Sequence, residues 1–526
     1  MKPNIEKIVS KLLKKLAIPT SKSFIKKQLR SHPEYPSLVS ITDTLDELGI
    51  DNASLVVDKE RIGEIPTPFL AHITKDGGNL LLVTDIQDTK KQVPDFLNAW
   101  DGIVLVAEKP LELLHTENAK ELAKEKKQRE LQLFAIVSII LLSFGSLLTN
   151  FSWTAFALLA TTLAGCFVGV LLVQHELGID NAVTEHLCQT GRHTDCDAVL
   201  DSKKSKLFNW LNLPDVVLIW FSSLLLLLTV SFYTGNAIAS LEVIALLTAC
   251  AVPVTLASLY YQWRVVKKWC TLCLLTIAVL WMQAGVMLPE LLNIQSWQIN
   301  TSPILFVLFV ASLITTIWLV IVKPLYKEEQ KVIGNMYKLQ RVKNNSKIFL
   351  SLLKAQKEVD VTPFDNEVQI GNEKSTVQIM VACNPYCNPC AKAHVQLDKL
   401  CERYNTGLSI RFSCMPGNDE DKRTVAVRYL LDQLSKTDAA HKKKILHDWY
   451  EVMDLAKFAI QYPIETGVNI TEQLAEHAEW MKECNIRQTP TVFINGYELP
   501  KQYEITDLEN ILRGVVNEIE ATYIKI

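Results

Sequence analysis

Six stretches of this chain are apolar for about 20 residues each, the length that carries an α-helix across a bilayer. They lie at about 131–149, 153–175, 213–233, 237–262, 270–292 and 302–322. Of the 526 residues, 49% are hydrophobic, more than an ordinary soluble domain needs, so the chain is read as membrane spans beside globular parts. The few charges in these runs, Asp215, Glu242 and Glu290, fall near span ends, where an interfacial position is expected rather than a functional intramembrane carboxylate. An even number of crossings has a consequence that hydropathy alone does not reveal. Residues 1–130, the loop after the second span, the start of the fifth span and residues 323–526 all come to one side.

That side holds every paired cysteine. Twelve cysteines are too few for a disulfide scaffold, and none occurs before Cys166. Two Cys-x-x-C pairs stand out: Cys270/Cys273 opens an apolar span and Cys387/Cys390 sits in the C-terminal region. Cys188 and Cys196 lie in the polar loop between two spans and make a third pair. Three pairs on one side read as a relay of thiol–disulfide exchange. The competing reading of a Cys-x-x-C is half of a zinc site, with Cys383 and His394 as further ligands for Cys387/Cys390. The strand–turn–helix setting favours the redox reading, and no metal is expected. Cys401, Cys414 and Cys484 are expected to be buried small hydrophobes or a structural pair, Cys383 is a candidate resolving thiol that the reading does not favour, and Cys166 and Cys250 are expected to be packing residues.

The compartment of the shared side is left open by two opposed arguments. Lys124, Arg129, Arg192, Lys203, Lys204, Arg264, Lys268 and Lys323 lie near its span ends, while the turns on the far side carry no Lys or Arg, which makes the shared side cytoplasmic. Met1 to Leu16 is amphipathic and Lys-rich with no continuous apolar core, so no secretory signal is expected. Dithiol oxidation, however, is useful outside the cytosol, where thiol reductants do not undo it. The net charge of −3 demands no nucleic acid, and no phosphate-binding Walker loop occurs.

Val377 to Ala382 is an apolar strand leading into Cys383-Asn-Pro-Tyr-Cys387-Asn-Pro-Cys390, and Ala391 to Leu400 continues with helical periodicity. The first cysteine of the pair therefore sits at a helix N-terminus, where the dipole and unpaired N–H groups favour the attacking thiolate. Thr489-Pro490, before a second strand, resembles the cis-proline that faces the Cys-x-x-C of thioredoxin-fold oxidoreductases. Pro389 resembles thioredoxin's active-site proline, whereas Asn388 departs from its usual glycine.

In the membrane part, a span, the Cys188-x7-Cys196 loop, two spans and then Trp269-Cys270-Thr-Leu-Cys273 opening a helix resemble the vitamin K epoxide reductase family, whose bacterial members are often fused to a thioredoxin-like domain. The resemblance implies a four-helix core over 153–292 enclosing a quinone of the ubiquinone or menaquinone type. It implies Cys273 beside the quinone, Cys270 as its partner and Cys188/Cys196 as the shuttle pair. The chain departs from the vertebrate enzymes at Ile277, where they carry a tyrosine, and has Pro214-Asp215 near where the family has a serine. Both departures count against vitamin K epoxide as substrate and less against plain quinone reduction.

His32 to Gly49, Pro66 to Ile73 and Leu80 to Asp85 resemble the C39 cysteine peptidase domain that precedes bacteriocin-exporting transporters, a papain-like fold. No cysteine is present there to act as nucleophile, and Asn79 stands where the family places its histidine; His72 is expected to be a strand or loop residue. A degenerate domain that binds a peptide, such as a leader peptide, is expected.

The expected organisation is then a multi-domain membrane protein: 1–115 an α+β C39-like domain, 116–130 a charged linker, 131–322 an α-helical transmembrane bundle, 323–360 a linker helix with Phe349, Leu350, Leu352 and Leu353 as its apolar face, and 361–526 an α/β thioredoxin-like domain. The expected activity is disulfide formation in client proteins or peptides. Electrons would pass through Cys387/Cys390, Cys188/Cys196 and Cys270/Cys273 to the membrane quinone pool, with Pro490 facing the soluble pair. The alternative is a peptide-binding accessory of a bacteriocin-type export system, in which the redox centre sets the thiol state of the exported peptide.

Overall fold

The computed structural model of the protein describes residues 5–74, 79–92, 96–110, 115–148, 151–179, 182–188, 196–200, 206–208, 211–234, 237–292, 301–364, 367–435, 437–463 and 470–524. Most of the Cys188–Cys196 loop, with Arg192, and the basic residues Lys203 and Lys204 lie outside them. The chain divides into two units, Met1–Glu121 with Asn335–Ile526, and Leu122–Gly334.

The N-terminal segment begins with three amphipathic helices, α1 (Ile5–Lys15), α2 (Lys22–Ser31) and α3 (Leu38–Glu47). Ser21 caps α2 by accepting the Phe24 N–H at 3.1 Å. Their apolar faces, with Leu12, Phe24, Leu29 and Ile41 buried, pack together in one core. An antiparallel sheet follows, built of β1 (Asn52–Val56), β2 (Phe69–Ile73), β3 (Asn79–Val83) and β4 (Trp100–Ala107) in the order β1-β4-β2-β3. His72, on β2, pairs through Nδ1 with Asp101 of β4 at 2.5 Å, and Asn79 opens β3.

In a bilayer every backbone polar group must be satisfied within the protein, so the apolar runs become helices. Six helices are long and apolar enough to cross a membrane, and the protein is multi-pass. They include α4 (Thr116–Gly145), α5 (Trp153–Glu176), α6 (Leu213–Tyr233), α7 (Ala237–Tyr260), α8 (Thr271–Leu292) and α9 (Thr301–Thr316). The charged segment expected as a linker at 116–130 is already part of α4.

Helices α5 and α6 approach closely at Gly165 and Gly169, four residues apart and so on one face of α5. A Cβ at Gly165 would come within 2.2 Å of the Phe221 ring, and one at Gly169 within 3.2 Å of the Leu218 backbone. Helix α8 packs against both α5 and α7. One buried cluster gathers Leu158, Leu227, Leu228 and Met287, and a second gathers Val168, Leu172, Phe221, Leu272 and the two cysteines of the span.

Asp215 is not at an interface facing solvent, as its place near a span end suggests. It is fully buried, with its Oδ2 2.5 Å from Lys323 Nζ and its Oδ1 accepting the Trp318 indole N–H at 2.8 Å. Lys323 also reaches Glu176 at 3.0 Å. The physical reason is that a buried carboxylate persists only with a counter-charge, which this lysine supplies from 108 residues away.

After α10 (Lys323–Lys343) comes α11 (Ser346–Lys354), capped by the Asn345 carbonyl oxygen of its side chain. Phe349 and Leu353 of α11 are buried in the core of the C-terminal fold, so this helix belongs to that fold rather than to a linker. The fold has β5 (Val368–Gly371), β6 (Gln378–Cys383), α12 (Asn388–Tyr404), β7 (Gly407–Phe412), α13 (Ala439–Val452), β8 (Thr491–Ile494), β9 (Tyr497–Glu498) and α14 (Leu508–Ile524). Its sheet order is β9-β8-β6-β7-β5, with β6 and β7 parallel and the other pairs antiparallel. Central β6 is buried on both faces, which explains its unbroken apolar run. The N-terminal segment is tied to this fold by Asn344 Nδ2 donating to the Ser31 carbonyl at 3.1 Å and by Arg513 pairing with Asp46 at 2.9 Å.

Gly165→Ala is expected to lower the stability of the purified protein by about 1–3 kcal/mol, because the added methyl overlaps a fully buried ring. Thermal unfolding in detergent checks this; an unchanged midpoint would show that Phe221 turns aside freely.

Candidate active site

The membrane dithiol is set by what ends the helix before it. After α7 the backbone makes a wide turn at Tyr261–Val266 and then reverses at Lys267, whose φ of 56° is left-handed. Gln262, from that turn, accepts the Cys270 N–H at 2.9 Å. Cys270 immediately precedes α8, and its sulfur accepts the Cys273 N–H at 3.3 Å, the bond a capping side chain makes to the third residue of a helix. Cys270 and Cys273 are 0% and 4% exposed, so both sulfurs are closed off from solvent.

The loop pair lies against them. Cys188 and Cys196 form a disulfide, and both pack in the cluster that holds Cys270 and Cys273. Thr271, between the two cysteines of the span, donates through its hydroxyl to the Leu187 carbonyl at 2.6 Å and lies 4.0 Å from the Cys196 sulfur. One disulfide and one dithiol are thus held side by side at the start of α8.

A quinone in this region would need buried apolar surface and a hydrogen-bond donor for its carbonyl oxygen. Trp220 of α6 packs against both buried clusters, and its indole N–H is buried with no hydrogen-bond partner among the described residues. Ser223 Oγ is in the same condition. Orphaned donors of this kind, beside the cysteine cluster, fit a carbonyl ligand. Ile277, one turn past Cys273, is buried.

The soluble dithiol repeats the arrangement at α12. Cys387 is the N-cap, in extended backbone, and Pro389 follows in the first turn, where its missing N–H leaves no donor unmet. The Cys387 thiol donates to the Thr489 carbonyl at 3.4 Å, which brings the residue before Pro490 against the pair, and the Thr489–Pro490 peptide bond is cis. Cys390 is fully buried and its sulfur accepts the Asn384 N–H at 3.5 Å.

The sequence left Cys383 open as a resolving thiol without favouring it, and its thiol acts on Cys390 as a hydrogen-bond donor. That bond is the main influence pulling the Cys390 thiol down to about 6, helped by the Asn384 N–H and opposed by burial. Burial pushes Cys387 up, while the hydrogen bond to Cys390, followed by burial, pushes Cys383 well up. The signal for this third sulfur was its spacing, four residues before Cys387, which puts it at the end of β6. Cys401, Cys414 and Cys484 are free thiols, with Cys401 and Cys484 in apolar clusters. Among the described residues no group of three or more His, Cys, Asp or Glu could hold a metal ion.

Residues 156–288 match the Vitamin K epoxide reductase family, and residues 364–513 match a Thioredoxin family. The chain carries a vitamin K epoxide reductase family domain. The matched segment contains both the loop disulfide and the Cys270/Cys273 pair, and the second match contains Cys387, Cys390 and Pro490. A vitamin K epoxide reductase domain and a thioredoxin-like domain on one multi-pass chain make it a membrane oxidoreductase acting on thiols. Solved structures similar to the C-terminal part include oxidised BdbD from Bacillus subtilis, at 12% identity and a TM-score of 0.25, covering 31% of this chain and 97% of that one. DsbA of Chlamydia trachomatis follows at 16% identity and 0.25, covering 32% and 97%. The catalytic domain of Proteus mirabilis ScsC is at 16% and 0.26, covering 30% and 93%. Comparison with curated proteins returns no match.

The lowered Cys390 value has a defined pH signature. A thiol whose folded value lies below its ordinary 9.0 stabilises the reduced fold above the ordinary thiol range, and that contribution is lost as pH falls through about 6. The reduced protein is expected to show a thiolate absorbance step near pH 6 that Cys390→Ser lacks; the same step in that variant would locate the charge on another group.

Proposed function

We propose that this chain is a quinone-dependent thiol oxidase that forms disulfide bonds in client proteins or peptides. The observation that carries the reading is the Cys188–Cys196 disulfide packed in one apolar cluster with Cys270 and Cys273. Two such pairs in contact have one evident chemistry, exchange through a mixed disulfide.

The route runs as follows. A client thiolate attacks Cys387, the half-exposed sulfur of the soluble pair, and Cys390 leaves as the thiolate. The second client thiol then releases Cys387 and closes the client's disulfide. A thiolate held by hydrogen bonds from Cys383 and the Asn384 N–H is a good leaving group, and stabilising the reduced form makes the corresponding disulfide a stronger oxidant. This favours electron flow from client to protein. The Cys188–Cys196 disulfide reoxidises the soluble pair, and Cys270/Cys273 reoxidises the loop pair in turn. Cys273, on the first turn of α8, is the sulfur assigned to face the acceptor, and Cys270 the one assigned to exchange with the loop. A bound quinone supplies a two-electron, two-proton acceptor, with Trp220 as a donor that could hold its carbonyl.

The segment 1–115 is read as a degenerate C39-like domain that binds a peptide without cutting it. Its own cysteine is missing, and His72 is spent on Asp101. A leader peptide is the fitting ligand class, and it would present clients to the soluble dithiol.

Purified protein supplied with a reduced dithiol peptide is expected to reduce a soluble quinone. Cys273→Ala should abolish turnover, and Cys387→Ala should abolish it for the peptide. Turnover indifferent to Cys273 would sink the relay.

A further inference from the structure

Three sulfurs, not two, meet at the head of α12. Cys383 ends β6 and is 2% exposed, Cys390 is 0% exposed, and the Cys390 sulfur accepts the N–H of Asn384, the residue next to Cys383, at 3.5 Å. Charge on Cys387 is also felt at Cys383, so all three lie within one electrostatic neighbourhood.

The surroundings of Cys383 are not those of a packing residue. The hydroxyl of Tyr450, on α13, is buried without a well-formed hydrogen bond among the described residues and is near enough to Cys383 for each to act on the other's ionisation. His394, one helical turn past Cys390, has its ring centroid 5.4 Å from that of Tyr450, and its buried Nδ1 likewise has no partner among the described residues. A small hydrophobe would need neither group. A sulfur that passes through a thiolate stage would use the phenol as its donor.

We propose that Cys383 is a second resolving thiol, which takes over Cys390 by exchange with the Cys387–Cys390 disulfide to form a buried Cys383–Cys390 disulfide. The proposal rests on Cys387/Cys390 being redox-active. Cys383 gives up its proton, its sulfur attacks Cys390, and the Cys387–Cys390 bond breaks. Cys387 leaves as the thiolate, is stabilised by the Cys390 N–H at the helix cap, and takes up the proton. One S–S bond forms and one breaks, so no outside oxidant or reductant is consumed. With the Cys390 sulfur already held against the backbone N–H beside Cys383, the two sulfurs need only a short approach to the ~2.0 Å bonding distance.

The exchanged state differs from the parent in what a client meets. The oxidising bond is buried in both its sulfurs, and the half-exposed Cys387 becomes a free nucleophile. A free thiol backed by a stored disulfide attacks existing bonds, so the client class in this state is a peptide already holding a wrong disulfide. Return of Cys390 to Cys387 restores the oxidase.

The test uses the full-length protein in detergent, oxidised with diamide, unfolded in an alkylating agent and mapped by mass spectrometry. In the wild type, Cys387 and Cys390 should lose alkylation, or Cys383 and Cys390 after exchange. In Cys387→Ser, Cys383 and Cys390 are expected to become protected together within one chain, and adding Cys383→Ala should return Cys390 to full alkylation. If Cys390 stays alkylated in Cys387→Ser while the wild type protects it, the second disulfide is overturned and the two-thiol oxidase stands. A wild type with all three sulfurs alkylated overturns both.

Discussion

The first N–H groups of an α-helix have no partner inside the helix, and the sulfur chemistry of this protein is built on that deficit. Cys270 and Cys387 each stand just ahead of a helix, and the Cys270 sulfur accepts the N–H of the cysteine three residues on. The arrangement serves two ends at once. It satisfies a donor that would otherwise be orphaned, which matters most in a bilayer, and it places partial positive charge beside a sulfur that must carry negative charge during exchange. In the membrane pair the Cys-x-x-C spacing is therefore the spacing from cap to third residue.

The surrounding architecture keeps those helix starts in place by different means. In the membrane unit, α5 and α6 meet through glycines, so the cluster holding the four cysteines is closed by backbone contact as well as by side chains. Lys323, Asp215, Glu176 and the Trp318 indole make a polar knot within an otherwise apolar bundle. In the soluble fold, the strand that leads into the dithiol is the central one, and its burial on both faces fixes where Cys383 and the turn after it must lie.

What could be read from the residues was whatever is local. Span lengths, the two Cys-x-x-C pairs, the strand before Cys387 and the Thr489–Pro490 turn are all short patterns with a direct physical cause, and the structure places them as elements accordingly. What escaped depends on pairings over long separations. Asp215 looked interfacial because nothing nearby reveals a lysine 108 residues on. Phe349 and Leu353 looked like the face of a free helix because their partners, such as Leu512 and Val515, come more than 150 residues later. Cys383 stayed undecided because a buried thiol and a reactive one are written with the same letter, and its neighbours Tyr450 and His394 come from outside the motif.

Burial of Cys270 and Cys273 has a last consequence, for leakage. A chain of thiols in a cell is exposed to abundant small thiols, which can discharge any disulfide whose sulfur they reach. With both sulfurs of the inner pair buried in the cluster that also holds Cys188 and Cys196, a diffusing thiol would meet the outer links of the proposed relay first. For the relay proposed above, selectivity over the cell's reductants would then follow from access rather than from potential.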